Sequence, residues 1–232
     1  MKENPPPARD DALMKQFSLV GLGPLATAKL DDLDAHIQRG LMRATQDGHA
    51  YLKKVSQAMG SITNMNKKVN GWSYNPGNWG RMAQSGDFLG RAATQSLAGG
   101  VENFIEEAVK LRTFSDDLGE PLQAAKKYRL TFTKEQVPQV DAFWAITLYD
   151  NHFNLVLNDA NKYAIRDIDP NLVFAKDGSL TIYLQQQAPT QADVNWIPTP
   201  KEGQFNLFFR AYLPGKDFID QSYVPPTISL MD

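Results

Sequence analysis

The sequence predicts an α+β protein: a helical N-terminal part, residues 1–104, packed on an antiparallel β-sandwich of jelly-roll type, residues 105–232. Three observations predict it. Apolar residues recur at gaps of three and four early in the chain, the period of an α-helix. After residue 105 they alternate over short stretches, the period of a half-buried strand. Turn-forming residues punctuate those stretches about every 8–12 residues, as in sandwiches and jelly rolls. A chain of 232 residues can bury such a core as one compact unit.

Taken in order, the elements follow from local chemistry. Between 28 and 68, Leu30, Leu33, Ile37, Leu41, Ala44, Tyr51, Leu52, Val55 and Met59 fall on one helical face. Asp31, Asp32 and Asp34 stand near its start, where carboxylates offset the positive end of the helix dipole, with Lys53, Lys54, Lys67 and Lys68 toward the other end. This predicts one long helix or two stacked ones, weakest at Gly40 and Gly48. Residues 70–80 form a turn-rich loop carrying Trp72, Tyr74 and Trp79. Such a loop is either a packed surface cap or a binding-site wall. A short helix over 87–98 follows, with Asp87 as N-cap and Gly99-Gly100 as its end.

The β half begins with Ala108–Phe114 and Lys127–Phe132, both alternating, with the turn cluster Asp116–Pro121 between them. That pattern predicts a hairpin. Further strands are predicted at 142–149, 154–157, 171–175, 179–186 and 205–213, with Asp177-Gly178 as a tight hairpin turn. Pro198, Pro200, Pro214, Pro225 and Pro226 mark loops and edges.

Composition excludes several function classes. The 24 basic and 26 acidic side chains give a net charge of −2, without the basic excess of a nucleic-acid binder. The chain has no cysteine, which removes disulfide scaffolds, thiolate metal sites and thiol nucleophiles. Met1–Pro7 lack the apolar core of a secretory signal, and no window reaches the roughly 18 apolar residues of a membrane helix. The reading is a cytoplasmic protein with no nucleic-acid and no membrane partner. Absence of cysteine also suits a periplasmic protein parted from its leader.

Few motifs carry chemistry. Gly21-Leu22-Gly23-Pro24-Leu25-Ala26 has the spacing of a dinucleotide fingerprint but lacks the βαβ unit around it, so it reads as a glycine-permitted turn. His36, His49 and His152 are scattered, and neither a metal nor a cofactor is predicted. An acidic pair, Asp167 and Asp169, comes nearest to an oxygen-ligated ion site. More informative are polar groups in strand-like apolar surroundings. Alternation puts Phe208, Arg210 and Tyr212 on one face, and a buried guanidinium there needs a carboxylate or carbonyl partner. Tyr149 ends the stretch Phe143–Asp150, Gln185–Gln187 close another, and Asn195-Trp196 precede a proline pair. Such groups either orient a small ligand in an apolar cavity or stitch loops to the sandwich.

Several blocks carry a resemblance. Phe143-Trp144-Ala145-Ile146-Thr147-Leu148-Tyr149-Asp150 is similar to the motif F-W-S-L-T-M-Y-D. Asn158–Tyr163 is similar to N-P-I-N-R-Y, Asp177–Tyr183 to D-G-S-L-T-I-Y, and Asn195–Pro200 to N-W-L-P-A-P. Phe205–Tyr212 matches F-x-L-x-L-R-x-Y, Val224-Pro225-Pro226 a terminal x-P-P, and Asp87–Ala92 D-Y-L-x-R-A. Together these blocks, over residues 71–226, resemble the family called domain of unknown function 1214. The resemblance implies a jelly-roll-type β domain with helices and brings no established reaction. The family commonly forms the C-terminal half of two-domain proteins, after domain of unknown function 1254. The resemblance therefore implies a chain that works alone, pairs with a separately encoded N-terminal-type domain, or forms a homo-oligomer. Two departures matter: Gln186 stands where the family often has His, and Lys162 where it has Arg. An amide does not titrate near neutral pH, and a lysine offers no bidentate fork.

Three functional readings follow. In the first, the chain is a small-molecule-binding or accessory domain with a pocket between the helical part and the sandwich. Trp144, Tyr149, Asn158, Tyr163, Gln186, Asn195, Trp196 and Arg210 would line or support that pocket. In the second, it is a hydrolase- or lyase-like enzyme with Tyr149, Asp87 or Asp167 as acid or base. In the third, the aromatic loop at Trp72, Tyr74 and Trp79 is an exposed patch that docks a protein partner.

Overall fold

The protein is described by a computed structural model over residues 5–23, 29–59, 67–98, 102–191 and 193–231. The chain divides into two compact units, 1–56 and 57–232. In the first, a 3-10 turn over Ala8–Asp10 leads into α1 (Asp11–Ser18), and a second over Leu30–Asp32 precedes α2 (Ala35–Met59). The long predicted helix thus starts later than its apolar pattern suggests. The Lys29 N–H donates to the Asp32 carboxylate at 3.1 Å, closing a tight turn first, and the Asp34 carbonyl accepts the first bonds of α2. Gly40 and Gly48 lie within α2 without breaking it. Gly21 and Gly23 both take positive φ, +73° and +129°, conformations open to glycine. Residues 24–26, 60–66 and 99–101 lie outside the described residues, and with them the end of the glycine motif and Gly99-Gly100. No helix among the described residues is long and apolar enough to cross a membrane.

The second unit opens with the short strands β1 (Lys68–Val69) and β2 (Trp72–Tyr74), then α3 (Phe88–Ala98). Strands β3 (Ala108–Thr113), β4 (Tyr128–Phe132), β5 (Val140–Asp150), β6 (Ala164–Arg166) and β7 (Leu180–Leu184) follow. The chain finishes with β8 (Asn195–Ile197), β9 (Phe205–Pro214), α4 (Lys216–Ile219) and β10 (Ile228–Leu230). A six-stranded sheet has the order β1-β2-β3-β9-β5-β6 and a four-stranded one the order β10-β4-β7-β8. All pairs are antiparallel except β7 with β8. The sheets face each other across one core: Phe132 of the small sheet stacks on Trp144 of the large one, ring centroids 5.9 Å apart, and meets Phe209 edge-on. This is an α+β sandwich; six and four strands with one parallel pair do not by themselves spell a jelly roll.

Several predicted elements are corrected. The predicted hairpin does not form: β3 pairs with β2 and β9, while β4 pairs with β7 and β10 in the other sheet. The connection crosses between sheets, turned by the Asp116 carboxylate, which accepts the Leu118 and Glu120 N–H groups. The Asp117 N–H meanwhile donates to the carbonyl of Ile228. Residues 171–175 are not a strand, because the Asn195 side chain takes both the N–H and the carbonyl of Val173 (2.9 and 2.7 Å), replacing a ladder. Residues 154–157 are loop, and the Asp177-Gly178 turn, with Gly178 at φ +82°, leads into β7 from no preceding strand.

Candidate functional site

Directly paired residues on neighbouring strands share one face of a sheet. In the large sheet, Leu111 pairs with Phe209 and Val109 with Ala211, and Phe209 pairs with Ile146; all five point into the core. The residues between them point the other way. Lys110 pairs with Arg210, Arg112 with Phe208 and also with Ser73, and Thr147 with Phe208. The outer face of this sheet therefore carries three cations on its two central strands.

A cavity of about 400 Å³ lies over that face, within the size range of small-ligand pockets. Lys110, Arg112, Phe208, Arg210 and Tyr149 form its floor. Asn75, Pro76 and Trp79 from the loop after β2 form one wall, Thr94 of α3 and Glu102 add to the lining, and Phe153 closes the β5 end. The aromatic loop is thus a wall of this cavity. It is fixed by its neighbours: the Trp79 indole N–H donates to Glu102 at 3.0 Å, and Arg81 makes two bonds to the Glu106 carboxylate at 2.6 and 2.7 Å. Gly80 takes φ +75°, and a Cβ there would lie 2.5 Å from the Asn103 carbonyl oxygen; only glycine fits this approach. Phe153 is placed by a turn in which the Asp150 carboxylate accepts the His152 and Asn154 N–H groups, each at 2.8 Å. Desolvation opposes ionisation of Asp150, but these bonds outweigh it and hold the carboxyl below its usual range.

The polar groups of the lining are unevenly satisfied. Lys110 is paired with the Glu102 carboxylate. Arg210 donates from Nη2 to the Tyr149 hydroxyl at 3.1 Å and sits 4.9 Å over the Phe208 ring. Sequence reasoning asks for a carboxylate or carbonyl partner at Arg210, and a phenol and two ring faces take that place. Arg112 is half-buried and makes no hydrogen bond or ion pair among the described residues; Phe114 lies 6.0 Å from its guanidinium carbon. Burial lowers its pKa. The Asn75 side chain is nine-tenths buried; its Oδ1 accepts the Lys110 N–H at 3.1 Å, while Nδ2 has no partner.

Of the eight residues proposed to line a pocket, Tyr149 and Arg210 are brought together here. The other six lie elsewhere. Trp144 is in the sandwich core. Asn158 binds the backbone of Val156 and Lys162 within its own loop, and the Tyr163 carbonyl accepts the Leu148 N–H at the β5 edge. Asn195 bridges Val173 and Thr181, and the Trp196 indole N–H donates to the Gln185 carbonyl. Gln186 is exposed beside a second cavity of about 450 Å³, where its amide donates to the carbonyls of Pro200 and Lys201. Of the acid–base candidates, only Tyr149 lines the first cavity. Asp87 caps α3, accepting the Gly90 N–H at 2.9 Å and the Asn78 amide at 3.1 Å. Asp167 accepts the Trp144 N–H at 3.1 Å, and Asp169 is bonded to Arg166. The predicted exposed aromatic patch is also corrected: Trp72 and Tyr74 are fully buried core rings, bonded to the carbonyls of Pro226 and Tyr223, and Trp79 is half-buried. Sequence reasoning missed Asn75, Lys110, Arg112 and Phe208. The available signal was the alternation Val109-Lys110-Leu111-Arg112-Thr113, which sets two cations on one face of a buried strand.

Comparison with known proteins adds a family and a fold. The VPA0106 protein from Vibrio parahaemolyticus has a crystal structure matching this chain at a TM-score of 0.65 and 21% identity, covering 96% of this chain and 51% of its own. The chain therefore spans about half the length of that protein, and the likeness shows a shared fold. An uncharacterized protein from Burkholderia cenocepacia matches at a TM-score of 0.43 and 16% identity, over 60% of this chain and 33% of its own. No curated protein matches the chain. Residues 107–216, from just before β3 to the start of α4, match the family described as "Protein of unknown function (DUF1214)", the family the sequence motifs resemble.

Proposed function

We propose that this protein is a small-molecule-binding domain, and that the cavity on the outer face of the large sheet is its binding site. The observation that carries the reading is the lining itself: Trp79, Tyr149, Phe153 and Phe208 supply apolar surface, and Asn75, Arg112 and Arg210 bring polar groups to the same space. A few convergent polar groups in an apolar, walled cavity are what small-ligand sites use to fix orientation. Binding without turnover is the form we favour for this lining: the acid–base candidate in it, Tyr149, has its hydroxyl tied to Arg210. The one carboxylate among the described lining residues, Glu102, is engaged by Lys110 and Trp79, and Asp87 and Asp167 serve groups outside the cavity.

A thermal-shift screen of the full chain against organic acids, sugars, aromatic compounds and acyl compounds tests this. A ligand at a hundred times its dissociation constant adds about 2.7 kcal/mol, a rise of roughly 5–10 °C for a chain of this size. A rise that is lost when Phe208→Ala opens the cavity floor supports the reading. A flat screen across all four classes contradicts it.

A further inference from the structure

From the donors left open in this cavity we infer the class of its ligand: a small organic carboxylate with a flat, apolar body, its carboxylate held between Arg112 and Arg210 and its body against the aromatic walls. The inference rests on the reading of the cavity as a binding site.

Two groups carry it, and both keep N–H donors without an acceptor among the described residues. Arg112 makes no hydrogen bond or ion pair among the described residues. Among the described residues Arg210 is bonded only to the Tyr149 hydroxyl and otherwise stacks on rings. A guanidinium carries five N–H donors and accepts nothing, so both groups keep donors that can exchange water for the acceptor of a ligand. A ligand that completes this site must therefore bring acceptor oxygens.

Geometry brings the two guanidinium groups within reach of one ligand. Arg112 faces Phe208 across the β3–β9 ladder and Arg210 lies two residues on. They are diagonal neighbours on one face, about 7–8 Å apart at Cα, and such side chains can turn their forks onto one carboxylate. Phe208 lies beneath Arg210, and Trp79 and Phe153 stand in the walls.

Charge narrows the class further. The lining holds Lys110, Arg112 and Arg210 against Glu102, and the Lys110–Glu102 pair neutralises itself. Two positive charges remain, one of them already on a phenol. With both guanidinium groups on one carboxylate, no cation is left over for a second anionic end, so one carboxylate suits the site better than a polyanion.

The test is a titration of the full chain with matched triplets: benzoate, benzamide and benzylamine, and the same three head groups on a cyclohexyl body. The acids bind, with affinity at least about tenfold above their amides, the margin of a charge-assisted over a neutral hydrogen bond, and the amines do not bind. Arg112→Gln and Arg210→Gln each weaken the acids by a similar factor and the amides by much less; melting curves confirm that both variants fold. Amides or amines binding as well as the acids would overturn the ligand class and leave the binding reading standing. Acids preferred equally by wild type and both variants would overturn the assignment to these arginines. If no member of either triplet binds while neutral compounds from the screen do, the ligand class fails alone. If nothing binds at all, both fail together.

Discussion

The two faces of the six-stranded sheet are built from the same three strands and solve opposite problems. On the inner face Val109, Leu111, Ile146, Phe209 and Ala211 belong to one buried core with the second sheet, where the Phe209 ring meets Phe132 and Trp144 edge-on. On the outer face, one residue along each strand, Lys110, Arg112, Phe208 and Arg210 border about 400 Å³ of space. The inner face carries the free energy of folding. On and beside the outer face stand a cation with no hydrogen bond or ion pair and a buried amide with no acceptor among the described residues, groups that subtract from stability. A fold retains such groups where binding uses them.

Substitutions at neighbouring positions of β9 give the sharpest contrast. Phe209→Ala empties the inner core and lowers stability by about 3–5 kcal/mol, whereas Phe208→Ala, at a site already facing a cavity, costs about 1 kcal/mol or less. Chemical denaturation of both variants measures this, and equal losses would erase the distinction between the faces. Next in size is Gly80→Ala, which sets a Cβ against the Asn103 carbonyl at positive φ. It strains the cavity wall by about 1–3 kcal/mol, and hydrogen exchange around 75–81 should quicken while the amides of β4 and β7 stay protected.

A smaller effect is pH-dependent. The Asp150 carboxyl, held low by the His152 and Asn154 amides, has a folded pKa below its unfolded value of about 4. Its contribution is present above the unfolded value and is lost as pH falls through the folded one. Wild type therefore melts above Asp150→Asn at pH 7, and the gap closes toward pH 2. A gap that is constant with pH would mean that ionisation plays no part in holding the Phe153 turn.

How much of this was legible in the sequence follows from strand length and from what makes a partner. Strands β5 and β9 are long, and in β9 the alternation placed Phe208, Arg210 and Tyr212 on one face at sight. Strands β2, β6, β8 and β10 have three residues each, too few to show a period. The false hairpin between β3 and β4 arose because alternation says that a strand exists and not which strand it pairs with. Tyr149 and Arg210 stood out as polar groups at the end or middle of apolar runs. Asn158, Gln186 and Asn195 stood out too, yet bind backbone groups, since a motif of amides looks the same whether it holds a ligand or a loop. Arg112 was in plain view on β3, but its significance is the absence of a partner, which only the tertiary structure reveals.

The central claim is that the outer face holds charge for a ligand and not for the fold, and the thermal stability of Arg112→Leu without ligand tests it most directly. Removing a partly buried cation that makes no hydrogen bond or ion pair among the described residues is neutral or stabilising, so the variant should melt at or above the wild-type temperature. A loss of about 4 °C or more, roughly 1 kcal/mol or more for a chain of this size, would show that Arg112 serves the fold, and would contradict the account.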